Sequence, residues 1–408
     1  MDFIDLFQLL VVGLIPVVIA VLEYRENRLQ RRVEEFRINH RDLSRNRFEY
    51  SEANLESYRR EVGSQVERGI QPELCVDYLI HSGDWCVAPV PTDRVRLHGT
   101  DGRVTYPGPR SVLPYRGGYT YNVKRILGKS MFNGTMTVIR DVSVGDSVDI
   151  YVGESDYYTY YDLCEYRAYR TVYDDVVRLP GGTGRAGPVV PLDRLTDWDS
   201  RPVGIGVCTL TVLHNIGDGT LFCVHHRSDR LAEAMNTTSL VPAGSLQIAL
   251  DEIGDGGVDH IGKTILREFV EEFLNCPEIE YPESFDLDMP DSMRTYYLTM
   301  GFDPLNTKME MVTMLVIDCA GEDLKPFLSR FSDVGFGDGP LTMDELSAVL
   351  AASSYEGDIE VRPFDMEYVL RHMRDRKAMP VFREAMRYVS EHHAEMMDTV
   401  RGSRRIGS

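Results

Sequence analysis

The chain is poor in positive charge. Its 44 lysines and arginines face 64 aspartates and glutamates, for a formal net charge of −20. Duplex nucleic acid is bound largely by neutralising phosphates, so no duplex nucleic-acid partner is expected. The cysteines lack pattern: Cys75, Cys86, Cys164, Cys208, Cys223, Cys276 and Cys319 stand singly, odd in number and without a CxxC pair. This excludes a zinc ribbon and a disulfide framework, and it fits a reducing compartment. No GxSxG elbow is present, and no cysteine sits in a local signature of nucleophilic catalysis. His225-His226 and His392-His393 lack the i,i+4 spacing of helical metal ligands and read as solvated or core histidines. The composition is otherwise ordinary, 43% hydrophobic and 26% charged, and 408 residues leave room for two or three globular domains.

What is present begins with an apolar run. Residues 9–22 hold no polar side chain, and 3–22 are interrupted only by Asp5 and Gln8. Some 20 helical residues span roughly 30 Å, the thickness of a bilayer's hydrocarbon core. No basic residue precedes the run, which argues against a cleaved signal peptide. Arg25, Arg28, Arg31, Arg32, Arg37 and Arg41 follow it. Residues 1–22 are therefore expected to be a single-pass anchor at the cell membrane, with the bulk of the chain cytoplasmic. Residues 23–62 contain neither Pro nor Gly, which predicts a helical stalk over 23–64. Leu29, Phe36, Leu43 and Tyr50 recur every seven residues beside a polar seam of Arg32, Asn39 and Asn46. That weak heptad leaves a homodimer through the stalk open.

Residues 65–200 mix short strand-like runs with turns, an α+β region. The clearest strands are 135–139 and 148–152, on either side of a turn at Gly145-Asp146. Tyr157, Tyr158, Tyr160, Tyr161, Tyr166, Tyr169 and Tyr173 follow, spaced as packing residues with their hydroxyls at a rim. Residues 180–188, rich in Gly and Pro, read as a linker. Beyond it, 203–214 and 220–225 read as strands joined by a turn, 264–274 as a helix, and 296–300 and 309–317 as strands. Helices are predicted again at 366–376 and 381–397.

The segment Arg267-Glu268-Phe269-Val270-Glu271-Glu272 carries the most chemistry. On a helix, Glu271 and Glu272 lie three and four residues after Glu268, so the carboxylates share one side. Ile265, Leu266, Phe269, Val270 and Phe273 supply the opposite, apolar side. Like charges at i,i+4 repel by a few tenths of a kcal/mol. A hard divalent cation, Mg²⁺ or Mn²⁺, would turn that repulsion into attraction. A solvated acidic face is the plain alternative.

These residues resemble the REUxEE heart of the Nudix box, with Phe269 in the place of the bulky aliphatic. Seven residues separate Asp259 from Arg267, the spacing at which the box has its first glutamate. Val241-Pro242-Ala243-Gly244 stands where the family has a Pro-Gly-Gly turn. The chain is similar to Nudix-like proteins whose Nudix region follows an α+β segment, through Phe132-Asn133, Arg140-Asp141-Val142, Tyr157 to Glu165, Val241 to Gln247 and Gly301-Phe302-Asp303-Pro304-Leu305. It departs from the box in having 14 residues, rather than five, between Gly244 and Asp259, and Leu274 at the late glycine position.

The resemblance implies an α/β fold: a Nudix-like α/β/α sandwich with a mixed sheet over 201–325, followed by a helical tail over 326–408. It implies that Glu268, Glu271 and Glu272 ligate the metal, that Arg267 braces the helix through a salt bridge, and that Gly244 offers its carbonyl nearby. Glu310, on the later strand, is expected to add a carboxylate. The implied reaction is attack of a metal-positioned water on a phosphorus of a nucleoside diphosphate-linked substrate, a nucleotide-type small molecule. A non-catalytic nucleotide sensor signalling through the stalk is the alternative. A third reading comes from 257–264, which fits the Walker A pattern and would place Lys263 on terminal phosphates. Its immediate upstream sequence, 251–256, is acidic and turn-like rather than strand-like.

Overall fold

The structure, a computed structural model, describes residues 14–103, 113–131, 133–145, 147–178, 190–198, 202–217, 219–227, 237–248, 253, 258–277, 287–351, 357–375 and 377–402. The linker expected at 180–188 lies outside them. So do residues 1–13, the larger part of the expected anchor.

Two helices open the described chain, α1 (Ile15–Arg45) and α2 (Arg47–Glu67). The described apolar residues at the start of α1, Leu14 to Leu22, are exposed, and Glu23 and the arginines follow them. No helix among the described residues is long and apolar enough to cross a membrane, which overturns the single-pass anchor and the cell-membrane location drawn from it. The stalk is helical as expected but does not stand free. Val33, Phe36, Asn39, His40 and Leu43 of α1 are buried, and so are Leu55 and Tyr58 of α2. The heptad residues Phe36 and Leu43 are thus covered by the chain's own residues, not held open for a second copy.

What covers them is a tyrosine layer. After the short strands β1 (Cys75–Val76), β2 (Ile80–His81) and β3 (Val90–Pro91), the chain forms β4 (Val95–Arg103) and helix α3 (Tyr119–Leu127). Then come β5 (Thr135–Val144), β6 (Val148–Asp156) and helix α4 (Tyr157–Arg178). The Phe36 ring lies 5.0 Å from Tyr169 and 5.8 Å from Tyr119, and Tyr119 stacks on Tyr161 at 5.5 Å. Tyr160, Tyr161, Tyr166 and Tyr169 are buried, the packing role that their spacing predicts.

The rest builds around β7 (Val203–Ile216), which turns through Gly217 into β8 (Gly219–Arg227). Short β9 (Thr238–Ser239) and β10 (Ala243–Ser245) precede helix α5 (His260–Glu272). There follow β11 (Met293–Phe302), β12 (Met309–Asp318), helices α6 (Leu324–Leu328) and α7 (Met343–Ala351), β13 (Gly357–Pro363), α8 (Met366–His372) and α9 (Pro380–Gly402). The tail is therefore not wholly helical: β13 pairs with β8. The sheet is mixed. β12 runs parallel to β7, β11 antiparallel to β12, and β5 meets the start of β7 at Ile139–Val203, so one sheet crosses the expected boundary near residue 201.

Strand parity sorts the core into two layers. Ile205 and Val207 of β7, with Met309 and Met311 of β12, pack with Ile261, Ile265 and Phe269 of α5 and with Phe273 at its C-terminal cap. Cys208, Leu210 and Val212, with Val312 and Met314, pack with Phe382, Met386 and Val389 of α9. Helix α5 thus covers one face of the sheet and α9 the other.

Candidate site on the acidic helix

Asp259 caps α5, accepting a bond from the Gly262 N–H at 2.8 Å and another from Thr92 Oγ1 at 2.6 Å. Burial raises its carboxyl above the ordinary range, against the pull of the Thr92 bond. It sits two helical turns from Arg267, so it organises the start of the helix rather than joining the glutamates. A Cβ on Gly262 would lie 2.2 Å from the Asp259 carboxylate, which explains a glycine inside the first turn.

The cap also decides how the Walker-like stretch is used. Gly262-Lys263-Thr264 are helical residues, and the Lys263 N–H donates to the Asp259 carbonyl at 2.9 Å. Those amides are committed to the helix start instead of facing a phosphate. The last described strand before α5, β10, ends at Ser245, well short of the motif, and residues 254–257 lie outside the described ones.

Farther along α5, two glutamates reach the same strand. The Glu272 carboxylate accepts a 2.9 Å bond from the Ala243 N–H. Glu268 lies against the next residue: a Cβ on Gly244 would fall 1.8 Å from Glu268 Oε1, so only glycine permits this approach. Arg267 is buried and anchors the pair from the side. Its guanidinium donates to Glu268, to the Ser245 carbonyl at 3.2 Å and to Gln247 Oε1 at 3.2 Å. In this geometry Arg267 is salt-bridged to Glu268, and Gly244 lies against that carboxylate.

The other expected ligands go elsewhere. Glu271 lies on the flank of α5, near enough to Cys276 for its charge to add to burial in raising that thiol. Glu310 points to the opposite face of the sheet. It pairs with Gly206 on β7, while Gly244 pairs with Val207, and successive residues face opposite sides. There Lys308 Nζ lies 3.4 Å from Glu310 Oε1, and Cys208 Sγ donates to Oε2 at 3.4 Å. Burial raises the Glu310 carboxyl, with Lys308 pulling it back down. Among the described residues, no group of three or more His, Cys, Asp or Glu side chains is arranged to hold a metal ion. The hollow beside the helix is apolar, lined by Leu213, Phe269, Phe273 and Ile317, and receives none of the glutamates.

A buried network around the β11–β12 loop was not visible in the sequence pattern. Arg47 of α2 donates to both oxygens of Glu165, at 3.0 and 3.2 Å, and Asn306 Nδ2 donates to Glu165 Oε1 at 2.8 Å. Asp303 Oδ1 accepts from the N–H groups of Leu305 and Asn306 at 2.8 and 3.0 Å, shaping the loop. Its sequence signals are the 301–305 motif and the Tyr157 to Glu165 stretch, which the resemblance singles out without joining them. No protein-family model matches the chain, and no curated protein is significantly similar to it.

Proposed function

We propose that residues 201–325 form a Nudix-like domain that hydrolyses a nucleoside diphosphate-linked substrate with Mg²⁺ or Mn²⁺. One observation carries this reading: Glu268 and Glu272, one turn apart on α5, meet the consecutive residues Gly244 and Ala243 of β10. The three-layer arrangement of α5, mixed sheet and α9 supports it. The donor chemistry fits a hard cation, which prefers carboxylate and carbonyl oxygens. Glu268, Glu272 and the Gly244 carbonyl are the groups that would hold it, with Glu271 on the flank and Glu310 taking no part. When bound, the cation polarises phosphoryl oxygens and lowers the pKa of a bound water. The chain's own contribution is positional. Arg267 fixes the Glu268 carboxylate and offsets part of the acidic charge, while the Ala243 N–H fixes Glu272.

The second reading is a non-catalytic Nudix-like domain. It is favoured by the same bonds, because both carboxylates are already engaged by protein donors and so clamp α5 to β10. Turnover of a panel of nucleoside diphosphate derivatives, with and without Mg²⁺ or Mn²⁺, separates the two. The hydrolase reading expects metal-dependent turnover that falls at least 100-fold in Glu272→Gln or Glu268→Gln. Absence of metal-dependent turnover in the folded wild type overturns it and leaves the clamp.

A further inference from the structure

Cys86 and His392 are far apart in sequence yet adjacent in space. Cys86 follows the 3₁₀ turn Gly83–Trp85, and its Sγ lies 3.8 Å from His392 Nε2 on α9. The other ring nitrogen, Nδ1, lies 2.6 Å from Glu395 Oε2. A carboxylate beside Nδ1 holds the proton there, leaving the Nε2 lone pair facing the thiol. The ring is also held in its plane: Tyr388 stacks on it at 4.5 Å and anchors its own hydroxyl on the Val87 carbonyl. Within α9, the kink falls at His392 itself (φ −115°, ψ 21°). The site is open to solvent, since Cys86 is half-buried and the His392 side chain keeps 26% of its exposure.

The surroundings decide which mechanism this triad can use. Burial raises the Cys86 thiol; Arg387 pulls it down by its charge and by a hydrogen bond to the thiol, and Glu384 and Glu391 push it up again. Arg387 is itself engaged by Glu384 and Glu391 and lies 3.6 Å from Asp77, so its charge is largely spent on carboxylates. The phenols of Tyr297 and Tyr388 also face the thiol, and burial keeps both protonated. A thiol raised in this way gains most from a base that removes its proton as the new bond forms.

We propose that Cys86 is a base-assisted nucleophile for an activated acyl carbon, with His392 as the base and Glu395 as the positioning residue. Sulfur adds to the carbonyl carbon while the S–H proton passes to His392 Nε2. The carbon–oxygen bond to the leaving group then breaks, and the leaving oxygen takes the proton back. The products are a Cys86 thioester and an alcohol or phenol.

The test uses the full chain and p-nitrophenyl acetate, with phenol release followed by absorbance and the acetyl group located by mass spectrometry. Exposed Cys75 on β1 is the internal reference. Acetylation of Cys86 is expected to outpace that of Cys75 and to vanish in Cys86→Ser. His392→Gln should slow it about tenfold or more and move its rise to higher pH. Glu395→Gln should slow it several-fold, and added imidazole should restore part of the rate to His392→Ala. Should the His392 variants fail to fold, the wild-type comparison still decides, because a base-assisted thiol begins to react at lower pH than Cys75. Equal rates and pH profiles at the two cysteines, or a Cys86 profile unchanged in folded His392→Gln, would overturn the proposal.

Discussion

Two glycines on neighbouring strands each receive a carboxylate, on opposite faces of one sheet. A Cβ at Gly244 would fall 1.8 Å from Glu268 on the α5 face, and one at Gly206 would fall 2.1 Å from Glu310 on the α9 face. Each carboxylate has a basic partner, Arg267 for Glu268 and Lys308 for Glu310. The local chemistry is nearly the same, but the settings differ. Glu268 keeps 13% of its side-chain exposure and lies one turn from Glu272 on the same helix. Glu310 keeps 6% and is enclosed by Lys308 and Cys208. The lesson is that a glycine cradle marks a place where a carboxylate must approach backbone; the solvent around it decides whether the carboxylate can act.

The largest expected effect breaks the buried cradle. Lys308→Met leaves Glu310 without its cation inside the protein, and losing one partner of a buried pair costs on the order of 3 kcal/mol. Protonation of Glu310, already favoured by burial, keeps the loss toward the lower end. Urea denaturation should show a lower midpoint with an unchanged slope, and Lys308→Met combined with Glu310→Met should recover much of it. No loss in the single variant would mean that Glu310 is no more constrained than Glu268.

A smaller effect is read through pH. Because burial raises the Glu310 carboxyl, the folded chain holds its proton over a range in which the unfolded chain has released it. Stability from this group is therefore fully present below the ordinary glutamate pKa, about 4.3, and is lost as pH rises through the folded value. In Glu310→Gln that fall should disappear, so wild-type stability should decline relative to the variant between pH 4 and neutrality in a pH series of thermal melts. A wild type whose dependence matches that of the variant across this interval would contradict the burial assigned to Glu310.

The contrast also explains what the sequence could and could not reveal. The β7–β8 hairpin, α5 and strands β11 and β12 were legible because each carries its own period and turn residues. That Glu268 and Glu272 share one side of α5 is legible in helix spacing, whereas roles for Arg267 and Gly244 come only from the resemblance. The face of Glu310 was not, since parity along β12 acquires a direction only through its register with β7. Phe36 and Leu43 repeat every seven residues whether their cover is a second copy or the chain's own tyrosines, so the heptad could not choose. Nor could any local pattern join Cys86 to His392, which only the docking of α9 against the segment after Trp85 brings together.

The smallest effect belongs to the open cradle, and it tests whether that site is built for more than support. In Gly244→Ala the new Cβ would lie 1.8 Å from the end of the Glu268 side chain, a flexible group that keeps 13% exposure. Glu268 can swing outward, at a cost of about 1 kcal/mol for the lost Arg267 bond and local crowding. Stability should therefore barely move in a thermal melt. Positional chemistry is less forgiving, because a carboxylate displaced by about 1 Å can lose on the order of 100-fold in rate. A hydrolase should accordingly pair a near-normal melting temperature with a collapse of metal-dependent turnover. A clamp should show the small stability change and nothing else. A large stability loss at Gly244 would mean that its cradle is as closed as that of Gly206, and the distinction between the two faces would fail.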